Sequence, residues 1–110
     1  MTEIKIYRDR NKSIIKYIVS GHTGFGESGA DIVCASVTTA ALTALNGLTD
    51  VIKIHIGYEV RDGYLECILP AELSKDDRIK ADVLLESMLL TFRDLHEQYD
   101  DYISITELEV

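Results

Sequence analysis

The stretch that decides the fold is IIKYIVSGHTGFGESGADIVCASVTTAALTALNG, residues 14–47. Its first seven residues, Ile14 to Ser20, are mostly β-branched or aromatic and read as a strand. Gly21 to Ala30 follows, holding Gly21, Gly24, Gly26 and Gly29, and reads as a mobile loop. Asp31 then stands where an N-cap belongs, its carboxylate placed to accept from backbone N–H groups two or three residues on. The alanine-rich run from Ile32 to about Leu45 predicts a helix, and Asn46-Gly47 is its stop signal. That helix carries no charge on any face, which predicts enclosure on all sides. A sheet would cover one side, and a second helix or a partner subunit the other.

Outward from this centre the chain falls into short elements. On the N-terminal side, Glu3 to Arg8 alternates as a strand, and the polar turn Asp9 to Lys12 makes it a hairpin with Ile14–Ser20. On the C-terminal side, Val51 to Val60 alternates as a strand, with Ile52, Ile54, Ile56, Tyr58 and Val60 on one face. Asp62-Gly63 is a hairpin turn, Tyr64 to Leu69 returns, and Pro70 ends it. Ser74 to Asp77 resembles a capping box, with Asp in place of the usual Glu. The helix it opens runs to about Gln98, with Ile79, Val83, Leu84, Met88, Phe92 and Leu95 as its core stripe. Ile103 to Val110 reads as a last strand. The order β-β-α-β-β-α-β predicts an α+β fold, a mostly antiparallel sheet with two helices on one face.

With 110 residues, the chain is expected to be one domain, residues 1–110. It has 19 Asp and Glu against 11 Lys and Arg, a net charge of -8. Such a surface repels nucleic acid and anionic membranes and favours basic partners. Its acidic residues gather late, at Asp76, Asp77, Asp82, Glu86, Asp94, Glu97, Asp100 and Asp101, where a solvated helix face is the plainer explanation. The N-terminus has no basic and apolar leader, so a cytoplasmic protein is expected. The uncharged run Ile32 to Thr49 is the one membrane candidate. A helix ending near Leu45 rises only about 21 Å, short of the hydrocarbon core of about 30 Å, so a soluble protein with no membrane partner is expected.

Gly21 to Cys34 carries the chemistry. Cysteine attacks carbonyls as the thiolate, which a helix N-terminus or a nearby imidazolium favours. With Asp31 as cap, Cys34 falls in the first helical turn, whose free N–H groups could also receive an oxyanion. His22 lies at the start of the glycine loop, which can fold back on the thiol, and a Cys–His pair is the minimal activated nucleophile. Asp31 could also orient His22, although capping alone explains it. Taken singly, Cys34 is a small buried hydrophobe and His22 a polar loop residue; the conjunction argues for catalysis. Metal binding by His22, Cys34 and His55 lacks any CxxC or HxxxH spacing, and the loop lacks the lysine of a phosphate cradle. No metal or cofactor is therefore expected. Cys67 reads as a core or edge residue of its strand.

These residues resemble the bacterial ribosomal-processing cysteine protease family, Prp. The match is Gly21-His22, the loop glycines Gly24 and Gly29, then Asp31-Ile32-Val33-Cys34-Ala35 with Val37 and Thr38. Thr23 and Ser36 stand where the family often has alanine, and neither change removes a catalytic group. The resemblance implies a cysteine endopeptidase that removes a short N-terminal extension from a large-subunit ribosomal protein. His22 and Cys34 would be its catalytic pair, the loop would move on substrate binding, and two copies would pack through their helices. The acidic charge suits a basic ribosomal-protein precursor as substrate. The alternative from another class is a non-enzymatic factor that binds ribosomal proteins or aids ribosome assembly.

Overall fold

The structure, a computed structural model, describes residues 1–21 and 28–110, and of residues 28–31 the backbone. Its elements are β1 (Thr2–Arg8), β2 (Ile14–Ser20), α1 (Ser28–Asn46), β3 (Gly57–Arg61), β4 (Tyr64–Ile68), α2 (Lys75–Gln98) and β5 (Ile103–Glu109), with a π-helical turn, Gly47–Val51, continuing α1. The strands form one sheet in the order β3-β4-β2-β1-β5. All pairings are antiparallel except β1 with β5. The fold is α+β, as the element order predicts.

Alternation along the strands sorts the sheet into two faces. Thr2, Ile4 and Ile6 of β1, Tyr17 and Val19 of β2, Leu65 and Cys67 of β4, and Ile103 of β5 are buried on one of them. The register sets Ile4 beside Val19, Ile6 beside Tyr17, and Tyr17 beside Cys67, so the apolar side chains stack across strands. α1 covers this face with Val33, Val37, Ala41, Ala44 and Leu45, and α2 with Ala81, Leu85, Met88, Leu89 and Phe92. The opposite face carries Lys5, Lys16 and Glu66 and, among the described residues, no helix.

Ser74 caps α2 as the sequence predicts, its hydroxyl accepting from the Asp77 N–H at 3.1 Å. Of the expected stripe Met88 and Phe92 are buried, but Ile79 and Val83 are exposed and Leu84 and Leu95 only half-buried. Both 79-83 and 81-85 satisfy the helical spacing, so periodicity alone does not choose between them. Burial of Ala81, Leu85, Met88, Leu89 and Phe92 goes with a set of charge pairs at the edge of that stripe. Arg8 grips both oxygens of Glu86 at 2.6 and 3.1 Å, and Arg78 bonds Asp82 and the Ile14 carbonyl. These contacts turn the Arg78, Asp82 and Glu86 side of the helix toward β1 and β2.

Two expectations for the centre of the chain are corrected. Val51–Val60 is not one strand, because the π-turn continues α1 to Val51 and Lys53 adopts a positive φ of 63°. The Ile54 N–H bonds back to Leu48 at 3.0 Å instead of joining a ladder. Ile54 is still buried and Ile52 and Ile56 half-buried, but only Gly57–Arg61 is strand. Nor does Gly47 end the helix. A Cβ there would stand 2.7 Å from Leu84 Cδ1, so glycine lets the chain pass close to α2.

Within one copy of the chain, sheet and α2 cover only one side of α1. Ile32, Ala35, Thr39, Thr43 and Asn46 form an open, uncharged face. Its hydroxyls bond back to the helix, Ser36 to the Ile32 carbonyl, Thr39 to Ala35 and Thr43 to Thr39. These bonds satisfy the hydroxyls on this side of the helix. The run Ile32–Val51 is long and apolar enough to cross a membrane. The length argument against a span therefore fails, because the helix continues past Leu45. Along this run Val33, Val37, Ala41 and Leu48 are buried against sheet and helix.

Candidate active site

β2 delivers the chain to Gly21, whose φ of 95° belongs to the region that glycine tolerates. A Cβ there would also run into the Met1 carbonyl oxygen. Gly21 therefore sets the direction in which the chain leaves the sheet toward residue 22. His22, Gly24 and Gly26 lie outside the described residues. Gly29 and Asp31 are found inside α1, which begins at Ser28, three residues before the expected cap.

That early start corrects two details of the proposed chemistry. Asp31 is the fourth residue of α1 rather than its cap, and Gly29 belongs to the helix rather than to a loop. Cys34 is the seventh residue, in the second turn. In the α-helical pattern its N–H is committed to the residue four before it, so the free N–H groups lie one turn earlier.

Cys34 is half-buried and lies where the sheet-facing side of α1 gives way to the surface. It opens onto a cleft of about 570 Å³. One wall is α1, with Cys34, Ala35, Thr38 and Thr39, and the other is the β3–β4 hairpin from Val60 to Leu65. Val19 and Ser20 at the end of β2 also line it. Val60 and Leu65 are paired in register and present apolar side chains on the helix side of the hairpin. On the hairpin wall, Arg61 bonds Glu59 at 2.6 Å and lies 4.2 Å over the Tyr64 ring, and the Tyr64 hydroxyl donates to Glu66 at 2.9 Å. The hydrogen bond to Glu66 raises the Tyr64 pKa above its ordinary value. This chain of contacts braces the wall that faces Cys34.

Sequence reading located Cys34 but not the opposite wall. Asp62-Gly63 signalled a turn; what it could not signal is that β4 pairs with β2 and so brings the hairpin beside α1. Cys67, the other thiol, is 0 % exposed, and burial pushes its pKa up to about 11. Of the two cysteines only Cys34 opens onto the cleft. His55 is exposed on the segment before β3, and no grouping of three or more metal-ligating side chains occurs among the described residues.

Residues 1–104 match the family described as Cysteine protease Prp. The chain belongs to this family. Among its relatives, the ribosomal processing cysteine protease Prp of Bacillus subtilis is 29 % identical over 108 residues, 96 % of each chain. Its namesake from Staphylococcus aureus is 28 % identical over 96 % of this chain and 97 % of its own. SMU.848 from Streptococcus mutans superposes with a TM-score of 0.87 at 26 % identity, covering 100 % of this chain and 99 % of its own. The crystal structure of S. aureus Prp in complex with a substrate peptide gives 0.84 at 20 % identity, over 97 % and 99 %, and shares the fold. Prp membership makes Cys34, the thiol that opens onto the cleft, the candidate nucleophile.

Proposed function

We propose that the chain is a cysteine endopeptidase that removes a short N-terminal extension from a large-subunit ribosomal protein, with Cys34 as nucleophile and His22 as general base. The half-buried Cys34 on a cleft between a helix and a hairpin carries this reading, because a peptide can lie in that cleft against the sulfur. His22 takes the thiol proton and the Cys34 Sγ attacks the scissile carbonyl carbon. The imidazolium then protonates the leaving amine as the C–N bond breaks. Water, deprotonated by His22, attacks the thioester and releases the second product with Cys34 restored. No cofactor enters these steps. The names of the B. subtilis and S. aureus relatives support a ribosomal-protein substrate.

The net charge of -8 adds a role for long-range attraction, since ribosomal proteins are basic. We place the enzyme in the cytoplasm, as a homodimer packed through its helices, with no membrane or nucleic acid as partner. On α2, Ile79, Val83 and Leu90 are exposed along one face, which a second copy would cover. The deciding experiment is mass spectrometry of the precursor ribosomal protein incubated with the wild-type enzyme. Loss of the extension supports the reading. Stoichiometric binding with no cleavage would replace it with a binding factor.

A further inference from the structure

We infer that the substrate binds as an extended strand along the free edge of β3, its backbone paired with Tyr58 and Val60, so that alternate side chains fall into the cleft beside Cys34. The inference rests on the protease reading and adds how that site holds a peptide.

Within an antiparallel sheet, the N–H and C=O of one residue point to the same neighbour, and successive residues alternate between neighbours. The Leu69 N–H donates to the Ile15 carbonyl at 2.9 Å, which sets the phase on β4. Leu65 and Cys67 therefore bond to β2, and Tyr64, Glu66 and Ile68 bond to β3. The register answers these three with Arg61, Glu59 and Gly57. Tyr58 and Val60 remain, with their N–H and C=O aimed away from the sheet, and among the described residues no strand lies beyond them.

An open edge of this kind is a template for a further strand, and proteins usually blunt it with lysine, proline or a bulge. β3 has none of the three, and Glu59 and Arg61 are bonded to each other on the outer face. The opposite edge strand differs: Glu107 bonds Arg8 and Arg93, and Glu109 pairs with Lys12. Tyr58 and Val60 lie on the helix side of the sheet yet are 61 % and 49 % exposed, while their register partners Cys67 and Leu65 are buried. Val60 thus carries an apolar surface from the edge into the cleft, because it lines the same space as Cys34. A strand laid on this edge points every second side chain to the helix side, toward Cys34, and the others to solvent. Continuity with the cleft makes the occupant an extended peptide of the substrate rather than a second copy.

Amide hydrogen exchange on the Cys34→Ala protein, without and with a saturating peptide spanning the precursor's cleavage junction, tests the pairing. Exchange at the Tyr58 and Val60 amides should slow by about tenfold or more, while Gly57, Glu59 and Arg61, already bonded to β4, change by less than about twofold. In parallel, N-methylation of the peptide should lower its cleavage by wild-type enzyme at every second position only. Unchanged exchange at Tyr58 and Val60 in bound protein, or an N-methyl profile without alternation, would overturn the inference while leaving the protease reading intact. Slow exchange without peptide that deepens with protein concentration would assign the edge to a second copy and also overturn it. A junction peptide that is neither bound nor cleaved would remove the protease reading itself.

Discussion

The Tyr17 hydroxyl donates a 2.9 Å hydrogen bond to the carbonyl of Ala41, joining the middle strand of the sheet to the helix that carries Cys34. Ala41 lies two turns along α1 from Cys34, on the buried side. Burial is the main cause raising the Tyr17 pKa, so the phenol remains a donor across the working range. Tyr17→Phe keeps the ring packing and removes the bond. The Ala41 carbonyl retains its helical partner, so the expected loss is about 1 kcal/mol. Thermal melting should show it as a fall of roughly 4 °C.

Cys34→Ala, Cys34→Ser and His22→Ala should each lower cleavage of the precursor by about three orders of magnitude or more. Circular dichroism should show each variant folded, because Cys34 lies at the cleft surface and not in the core. Near-normal processing by Cys34→Ala would refute the assignment of the nucleophile.

The two thiols should separate in alkylation. At pH 7 to 8, iodoacetamide should label Cys34 and leave Cys67 untouched until the protein is unfolded, since Cys67 is fully buried with its pKa pushed up to about 11. Peptide mapping after limited labelling reads the ratio. Equal labelling of both residues in folded protein would contradict the burial of Cys67.

The raised Cys67 pKa also bears on stability. Its ordinary value is 9.0, so above that pH the unfolded chain loses the thiol proton while the folded chain keeps it to about 11. Stability from this group is complete below pH 9 and is lost as pH rises through 11. Buried Tyr17, raised from 10.0, extends the trend upward. Denaturant titrations between pH 8 and 11 should show stability falling with pH, and Cys67→Ala should flatten the lower part of the slope.

Gly47→Ala should cost less than about 1 kcal/mol, because the new Cβ meets only the end of the half-buried Leu84 side chain, Cδ1 at 2.7 Å, and alanine's helix propensity offsets part of that contact. Pairing it with Leu84→Ala should make the two effects non-additive, as the clash disappears with the leucine. Simple addition of the two losses would mean that the contact between the end of α1 and α2 is not what glycine serves.

Local patterns carried much of the fold. The bounds of β2, the Ser74 cap of α2, the Asp62-Gly63 turn and the placement of Cys34 on a helix follow from residues within a few positions of one another. The reading failed where two solutions were locally equal. Ile79-Val83 and Ala81-Leu85 both suit a buried stripe, and packing against a sheet made of distant segments, with the Arg8–Glu86 pair beside it, buries the second. Val51–Val60 alternates as a strand should, yet a π-turn at Gly47–Val51 takes its beginning because Gly47 lets α1 run on against α2.

The sequence by itself determined the element order and the family motif that Gly21-His22 and Asp31 to Cys34 carry. These depend on periodicity, capping and motif, which are properties of neighbouring residues. Tertiary structure alone decided what faces Cys34. Pairing of β4 with β2 brings Val60 to Leu65 across from α1, and the same pairing leaves the backbone of Tyr58 and Val60 open at the edge. Strand order is a contest among distant segments for shared hydrogen bonds and a common core, and no single stretch of the chain contains its outcome.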